Sequence, residues 1–322
     1  MQVERLVGVE GAAAQDLPIL GHIAWYTVRE CKAPREVVEL ALTRAGLSPN
    51  LLPRVNNRDA FRRACTWADE RVRRHPLDEG RFVNILVRPV KSSYQHKELV
   101  SQVVVEIVSA DDERLDYAPV ANLRLDQTGN LAVEFLRAEF PTVVYELIAD
   151  VKVTYRDMLT HCSGAHIRQV VYSALLQTKP VSVRPSGGVW FVKRDQEATL
   201  TSLAQFLDEI SQYNVHGAPS RLWKVPVVDG EEHRLMVREA LEEQTEAEAH
   251  KTIEGIAELL KADKLQRFQV EACVERLRHL REQVEAYEEL LEQRVDAARA
   301  ALDLAQAQLR RLLDRAADMG VY

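Results

Sequence analysis

Three groups of residues in this chain have types and spacings that could do chemistry. His161, Cys162 and His166 form the closest His/Cys group. Residues five apart on a helix do not share a face, Ser163 and Gly164 intervene, and no second ligand pair lies nearby in sequence. A structural zinc needs four ligands in tetrahedral array, so the group is expected to hold no metal. Cys162 likewise has no partner base fixed beside it to make it a nucleophile. Ser186, Gly187 and Gly188 could cradle a phosphate, but the GxxxxGKS/T spacing is missing and a strand-like run, Val189 to Val192, follows. A phosphate loop delivers its anion to a helix N-terminus, so a hairpin turn is the expected reading. No GxSxG, HExxH or GxGxxG motif occurs, and no catalytic residue, cofactor or metal is expected.

The third group is basic. Arg54, Arg58, Arg62, Arg63, Arg71, Arg73 and Arg74 make the most basic run in the chain, and phosphate contact through Arg54, Arg58, Arg62, Arg63, Arg73 and Arg74 is one expectation. Residues 42–54 partly match a helix-turn-helix, but Pro53 falls where the recognition helix should continue. A solvated helix face is the other reading.

These residues must be positioned by helices and strands. Residues 20–31 and 34–45 read as helices, with Gly46 as a stop, and a third helix is expected after Asn57, with Phe61, Ala64, Cys65 and Ala68 on one face. Residues 82–90 and 99–108 are rich in valine and isoleucine, and 120–125 with 131–136 read as a hairpin about Gln127 to Asn130. Helical periodicity returns at 144–159 and 167–175. A second hairpin spans 180–192, a helix 197–213 and a strand 222–228.

The last quarter, residues 231–315, contains no proline and only Gly255. An apolar seam runs Val284, Tyr287, Leu291, Val295, Ala298, Leu302, Ala305, Leu309 and Leu312 in steps of three and four. Two consecutive steps of four meet at Leu291, and two of three run from Val274 to Leu280, which shifts the register. One unbroken helix here would be on the order of 120 Å long. Its seam needs a second copy, another protein or its own folded-back half. The hairpin alternative requires a turn near residues 261–264, where the sequence supplies neither Gly nor Pro, so a continuous helix is preferred.

Composition is ordinary for a globular chain of 322 residues, with 46% hydrophobic and 28% charged residues and a net charge of −7; the acidity sits in the arm. Cys31, Cys65, Cys162 and Cys273 are widely spaced and read as reduced thiols, and no leader or membrane-spanning run stands out, so a cytoplasmic location is expected.

Two runs, RPSGGVWFVKR at 184–194 and NRDAFRRA at 57–64, resemble segments of uncharacterised bacterial proteins from phage, plasmid and other mobile-element neighbourhoods. That resemblance implies a setting in phage biology or antiviral defence and carries no activity. The fold expected is α+β: an N-terminal helical cap over 1–76, a body over 77–230 with a small, mostly antiparallel sheet and packed helices, and a long C-terminal coiled-coil helix over 231–322. The function expected is that of a non-enzymatic interaction protein, self-associating or docking a partner protein through the seam. A dimeric nucleic-acid-binding factor is the alternative, and a hydrolase or nuclease with a dispersed site the weaker one.

Overall fold

Residues 20–31 are a correction to the helical cap, because they begin as the strand β1 (Ile19–Thr27). A computed structural model describes residues 18–69, 74–78, 80–91, 98–111, 113–184 and 186–321. In it β1 lies between two antiparallel neighbours, β10 (Trp190–Lys193) and β11 (Arg221–Val228), and β9 (Val181–Ser182) extends the sheet in the order β11-β1-β10-β9. The stretch ILGHIAWYT is uncharged and largely covered on both faces, so its apolar residues do not alternate. Periodicity alone cannot tell such a run from a buried helix.

Contacts group the chain into two compact units, one of residues 18–30, 40–51 and 167–321, the other of 31–39 and 52–166. The divisions expected near 76 and 230 do not coincide with them. The antiparallel sheets with packed helices and the helical C-terminal region are as expected. Among the described residues no helix is long and apolar enough to cross a membrane.

In the first unit, Ile23 and Phe191 face each other across β1 and β10 and, with Val227, join the core of the C-terminal helices. The alternate residue Lys224 reaches α5 (Glu197–Ile210), where its Nζ donates to Glu197 Oε1 at 2.6 Å and Thr201 Oγ1 at 3.0 Å. Helix α1 (Arg35–Arg44) stops at Gly46, whose φ is +74°; Leu47 N–H donates to Leu42 O at 2.8 Å, the closing bond of a Schellman turn. Helix α4 (Gly164–Gln177) leads to Lys179 and Pro180 before β9.

The long helix is the second correction. Residues 231–318 form three helices, α6 (Glu231–Lys261), α7 (Arg267–Leu291) and α8 (Asp296–Asp318). The first break uses no Gly or Pro: Ala262 turns extended at ψ 139°, and Gln266 and Gln269 exchange backbone and side-chain bonds as a capping box that restarts the chain. At the second, Glu292 takes the left-handed conformation at φ 52° and closes α7. The carboxylate of Glu288 accepts from Val295 N–H at 2.8 Å and from Arg299 Nε at 2.8 Å, tying the turn to α8. All nine seam residues, from Val284 to Leu312, are buried in this one chain's core. The seam offered to a partner is therefore closed by the folded-back half.

In the second unit a five-stranded antiparallel sheet has the order β3-β4-β5-β6-β7. Its strands are β3 (His75–Asp78), β4 (Arg81–Lys91), β5 (Leu99–Ser109), β6 (Arg114–Leu125) and β7 (Leu131–Phe135). Helices α2 (Asn57–Asp69) and α3 (Val143–Thr160) share a core with it, in which Phe61 meets Tyr155 edge-on at 6.5 Å. The N-cap of α2 is Asn56, whose Oδ1 accepts from Arg58 N–H at 2.9 Å, one residue before the expected cap. A two-stranded ladder joins β2 (Lys32–Pro34) and β8 (His161–Ser163). Between β6 and β7, Asp126 accepts from the N–H groups of Thr128 and Asn130, Gly129 sits at φ +90°, and Tyr155 Oη donates to Gly129 O at 2.7 Å.

Three outcomes follow from this packing. Leu302→Ala should cost about 2–5 kcal/mol and lower the thermal midpoint equally at every protein concentration; a concentration-dependent midpoint would mean the seam is shared between chains. Glu288, with its side chain 10% exposed, is held below its ordinary value of 4.5 by the hydrogen bond from Arg299. Its stabilisation is present above that value and lost as pH falls through the lower folded one, so Glu288→Gln should flatten the acid limb of stability against pH, and an unchanged limb would refute the coupling. Gly129→Ala would push a Cβ into Asn57 Nδ2 at a left-handed φ and should lower the thermal midpoint; a midpoint equal to that of the parent protein would contradict such strain.

Candidate functional site

The residues singled out for chemistry are not assembled as an active centre. His161 and Cys162 are successive residues of β8 and point to opposite faces. His161 Nδ1 lies 2.9 Å from Thr160 Oγ1 and 3.8 Å from Asp157 Oδ1, while Cys162 is buried and its thiol is pushed up to about 11 by that burial. His166 Nδ1 accepts from Ser163 N–H at 3.1 Å; burial, then Arg35 and Arg63, hold its pKa below the ordinary value. A thiol so raised is neither a ready nucleophile nor a ready ligand at neutral pH. Among the described residues no three His, Cys, Asp or Glu side chains converge as a metal site. Ser186, Gly187 and Gly188 lie in the β9–β10 turn, with both glycines at positive φ.

The basic run is dispersed. Arg54 and Arg63 are exposed and Arg58 is half-buried, whereas Arg62 lies 3.7 Å from Asp59. Arg74 is absorbed by the sheet: its Nη2 donates to Ala110 O at 3.1 Å and its guanidinium stacks 4.7 Å over Phe82. Arg71 and Arg73 lie outside the described residues.

In the first unit a groove of about 650 Å³ is lined by Pro180, Glu248, Arg276, Leu280 and Gln283. One wall is a constrained turn: Lys179 has φ +51° before a proline, and its carbonyl accepts from Tyr287 Oη at 3.1 Å while Gln283 Nε2 donates to Pro180 O at 2.8 Å. Glu248 is half-buried, which raises its pKa. These groups hold the turn on α7.

The second unit presents a different feature. At the end of β7, Phe135 stacks on Phe140 at 5.4 Å and both rings meet Tyr145, at 5.4 and 4.8 Å. Such a cluster would ordinarily be core, yet Phe135 is 47% exposed, Leu136 42% and Tyr145 52%. It adjoins an open sheet edge. Asp126 pairs with Asn130 at one end of the β6–β7 ladder, and Leu136 N–H donates to Val120 O at the other. Antiparallel alternation then turns the N–H and C=O groups of Leu131, Val133 and Phe135 away from β6.

Other edges of the two larger sheets are blunted in the ways sheet proteins use against unwanted pairing. Pro226 stands within β11, although Trp25 and Trp223 stack there at 6.0 Å. In β9, a strand of two residues, Ser182 N–H is taken by Gln244 Oε1 at 2.8 Å. Pro76 and a register shift interrupt β3. β7 contains neither Pro nor Lys, and its one charge, Glu134, is held sideways by Arg124 Nη2 at 2.8 Å and Asn122 Nδ2 at 3.1 Å. The sequence carries the 131–136 alternation that gives the strand, but nothing in it marks that Phe135 and Tyr145 remain in water. This edge with its rings is the candidate site, and its chemistry is that of recognition.

Comparison with curated proteins finds no match. Residues 19–318, nearly the whole described chain, match the family of unknown function DUF6744, and the protein belongs to that family.

Proposed function

We propose that this is an interaction protein whose role is to dock a partner protein on the β7 edge beside Phe135, Phe140 and Tyr145. The observation that carries the reading is the ring cluster itself, in which Phe135 and Tyr145 are about half exposed while the long apolar seam of the helices is buried internally. Aromatic side chains dominate the energy of protein interfaces, because they bury large area at small entropic cost. The closed seam moves the expected docking surface from the arm to the sheet. The resemblance to mobile-element proteins directs the search for the partner to phage and antiviral systems.

The test uses tagged full-length protein crosslinked in cells that naturally carry its gene. Partner crosslinks are expected to cluster at residues 131–146 and to disappear in the Phe135→Ser, Tyr145→Ser double variant, whose thermal midpoint should change little because both side chains are exposed. Crosslinks concentrated elsewhere, or unaffected by the double variant, would overturn the reading. Light scattering of the purified chain reads whether a second copy occupies the edge.

A further inference from the structure

We infer that the groove beside the turn at Lys179 and Pro180 binds a free α-amino acid with a large apolar side chain, its ammonium group on Glu248 and its carboxylate on Arg276. The site lies within the first unit and goes beyond the docking reading above, on which it does not depend.

Helix spacing brings the groups together. Gln244 and Glu248 stand four residues apart on α6, and Arg276, Leu280 and Gln283 follow in steps of four and three on α7, so each set occupies one face of its helix. All five line the groove, with Pro180. Leu280 and Pro180 are buried and supply apolar lining. The volume of about 650 Å³ falls within the roughly 300–1,000 Å³ usual for small-molecule sites. The turn that walls the groove is strained: Lys179 has φ +51° before a proline, and α7 holds it there through Tyr287 and Gln283. Such strain persists only where the surroundings impose it, and it gathers at ligand clamps.

Charge selects the ligand. Four titratable side chains line the groove: Lys179, Glu248, Arg276 and His279. Lys179 is engaged by Glu282 at 2.9 Å, and His279 lies 3.9 Å from Glu275 and 4.0 Å from Glu282. Glu248 and Arg276 remain, one of each sign. They feel one another's charge, and Glu248 also feels Lys251 one turn along α6, yet neither side chain makes an ion pair or hydrogen bond among the described residues. Burial raises the pKa of Glu248 against the pull of both cations. A half-buried carboxylate without a donor is what a ligand ammonium relieves.

Two amides complete the pattern. Gln244 Oε1 accepts from Ser182 N–H, which leaves Nε2 as an unused donor; Gln283 is 7% exposed, donates Nε2 to Pro180 O and keeps Oε1 as an unused acceptor. An acid and an amide acceptor, a guanidinium and an amide donor, in a groove with no net charge left over, match a zwitterion and not an ion of either sign.

The experiment follows thermal unfolding of the full-length protein with single amino acids at millimolar concentration. Leucine, methionine and phenylalanine should raise the midpoint, whereas glycine, aspartate and lysine should not. The best of the three is then titrated by calorimetry beside its amide and its N-acetyl derivative, which keep one charge each and stand for the two ends of a peptide. Both should bind about tenfold or more weakly, the loss of one charge-assisted hydrogen bond. Arg276→Gln should bind the amide and the free amino acid alike, and Glu248→Gln the N-acetyl derivative and the free amino acid alike. Neither change should move the ligand-free midpoint much, because Arg276 is exposed and glutamine keeps the shape of Glu248. Should either variant fail to fold, the response of the parent protein to the two derivatives decides alone. The inference is overturned if no apolar amino acid shifts the midpoint, if a blocked derivative binds the parent protein as tightly as the free amino acid, or if neither substitution weakens binding.

Discussion

Burial of the apolar stripe on α7 is the constraint on which the first unit depends. Cys273, Leu277, Leu280, Val284, Tyr287 and Leu291 are buried along it, and such a stripe on a lone helix would leave a continuous apolar surface in water. The chain answers by folding α6 and α8 against it, and then by using the same helix to hold the sheet. Tyr287 is central to this. Its ring meets Phe191 of β10 edge-on at 6.1 Å, and its hydroxyl, pushed far above the ordinary range by burial, donates to the carbonyl of Lys179. Bundle and sheet therefore share a single core, which includes Leu20, Val181, Phe191 and Val227 as well as the helical seam. An arm defined by its sequence pattern is, in physical terms, half of that unit's interior.

The turns that allow this closure explain what could and could not be read beforehand. The seam residues were legible because burial imposes a three-and-four spacing whether the covering helix comes from the same chain or another. Their partner was not. Helix ends are usually announced by Gly or Pro, whereas here one break is made by Ala262 and a glutamine capping box and the other by Glu292 in a conformation that favours glycine. Glutamate at φ 52° costs free energy; the partly buried bonds of Glu288 to Val295 and Arg299 offset it. The trace left in the sequence was the doubled step of four at Leu291 and Val295, which marks the second turn as a phase slip.

Strands were legible in proportion to how unequal their faces are. β6 and β7 alternate, with Leu123 and Val133 toward the core and Asn122 and Glu134 away from it, and their hairpin was plain from Asp126 to Asn130. β1 is covered on both sides, so the signal of alternation vanished and a charge-free apolar run was all that remained. The ionisable groups with perturbed pKa values tell a related story. Cys162 is shifted mainly by burial, whereas Tyr287 and Glu288 are shifted by burial or by a fixed partner and hold elements in place. Perturbation alone marks a functional site only where the group faces a cleft.

The candidate site was the least legible part, for a reason general to docking surfaces. A core residue is specified by periodicity because its neighbours must be buried with it, whereas an exposed aromatic residue looks the same in sequence as a buried one. Phe135, Phe140 and Tyr145 gave no signal apart from their type. What distinguishes them is a comparison that only the fold permits: a proline interrupts β11 and β3, a glutamine closes β9, and β7 retains its outward backbone beside the exposed rings of Phe135 and Tyr145 and the partly buried ring of Phe140. A chain that blunts β11, β9 and β3 and leaves β7 open beside exposed rings has either tolerated a liability to aggregation there or kept that edge for use.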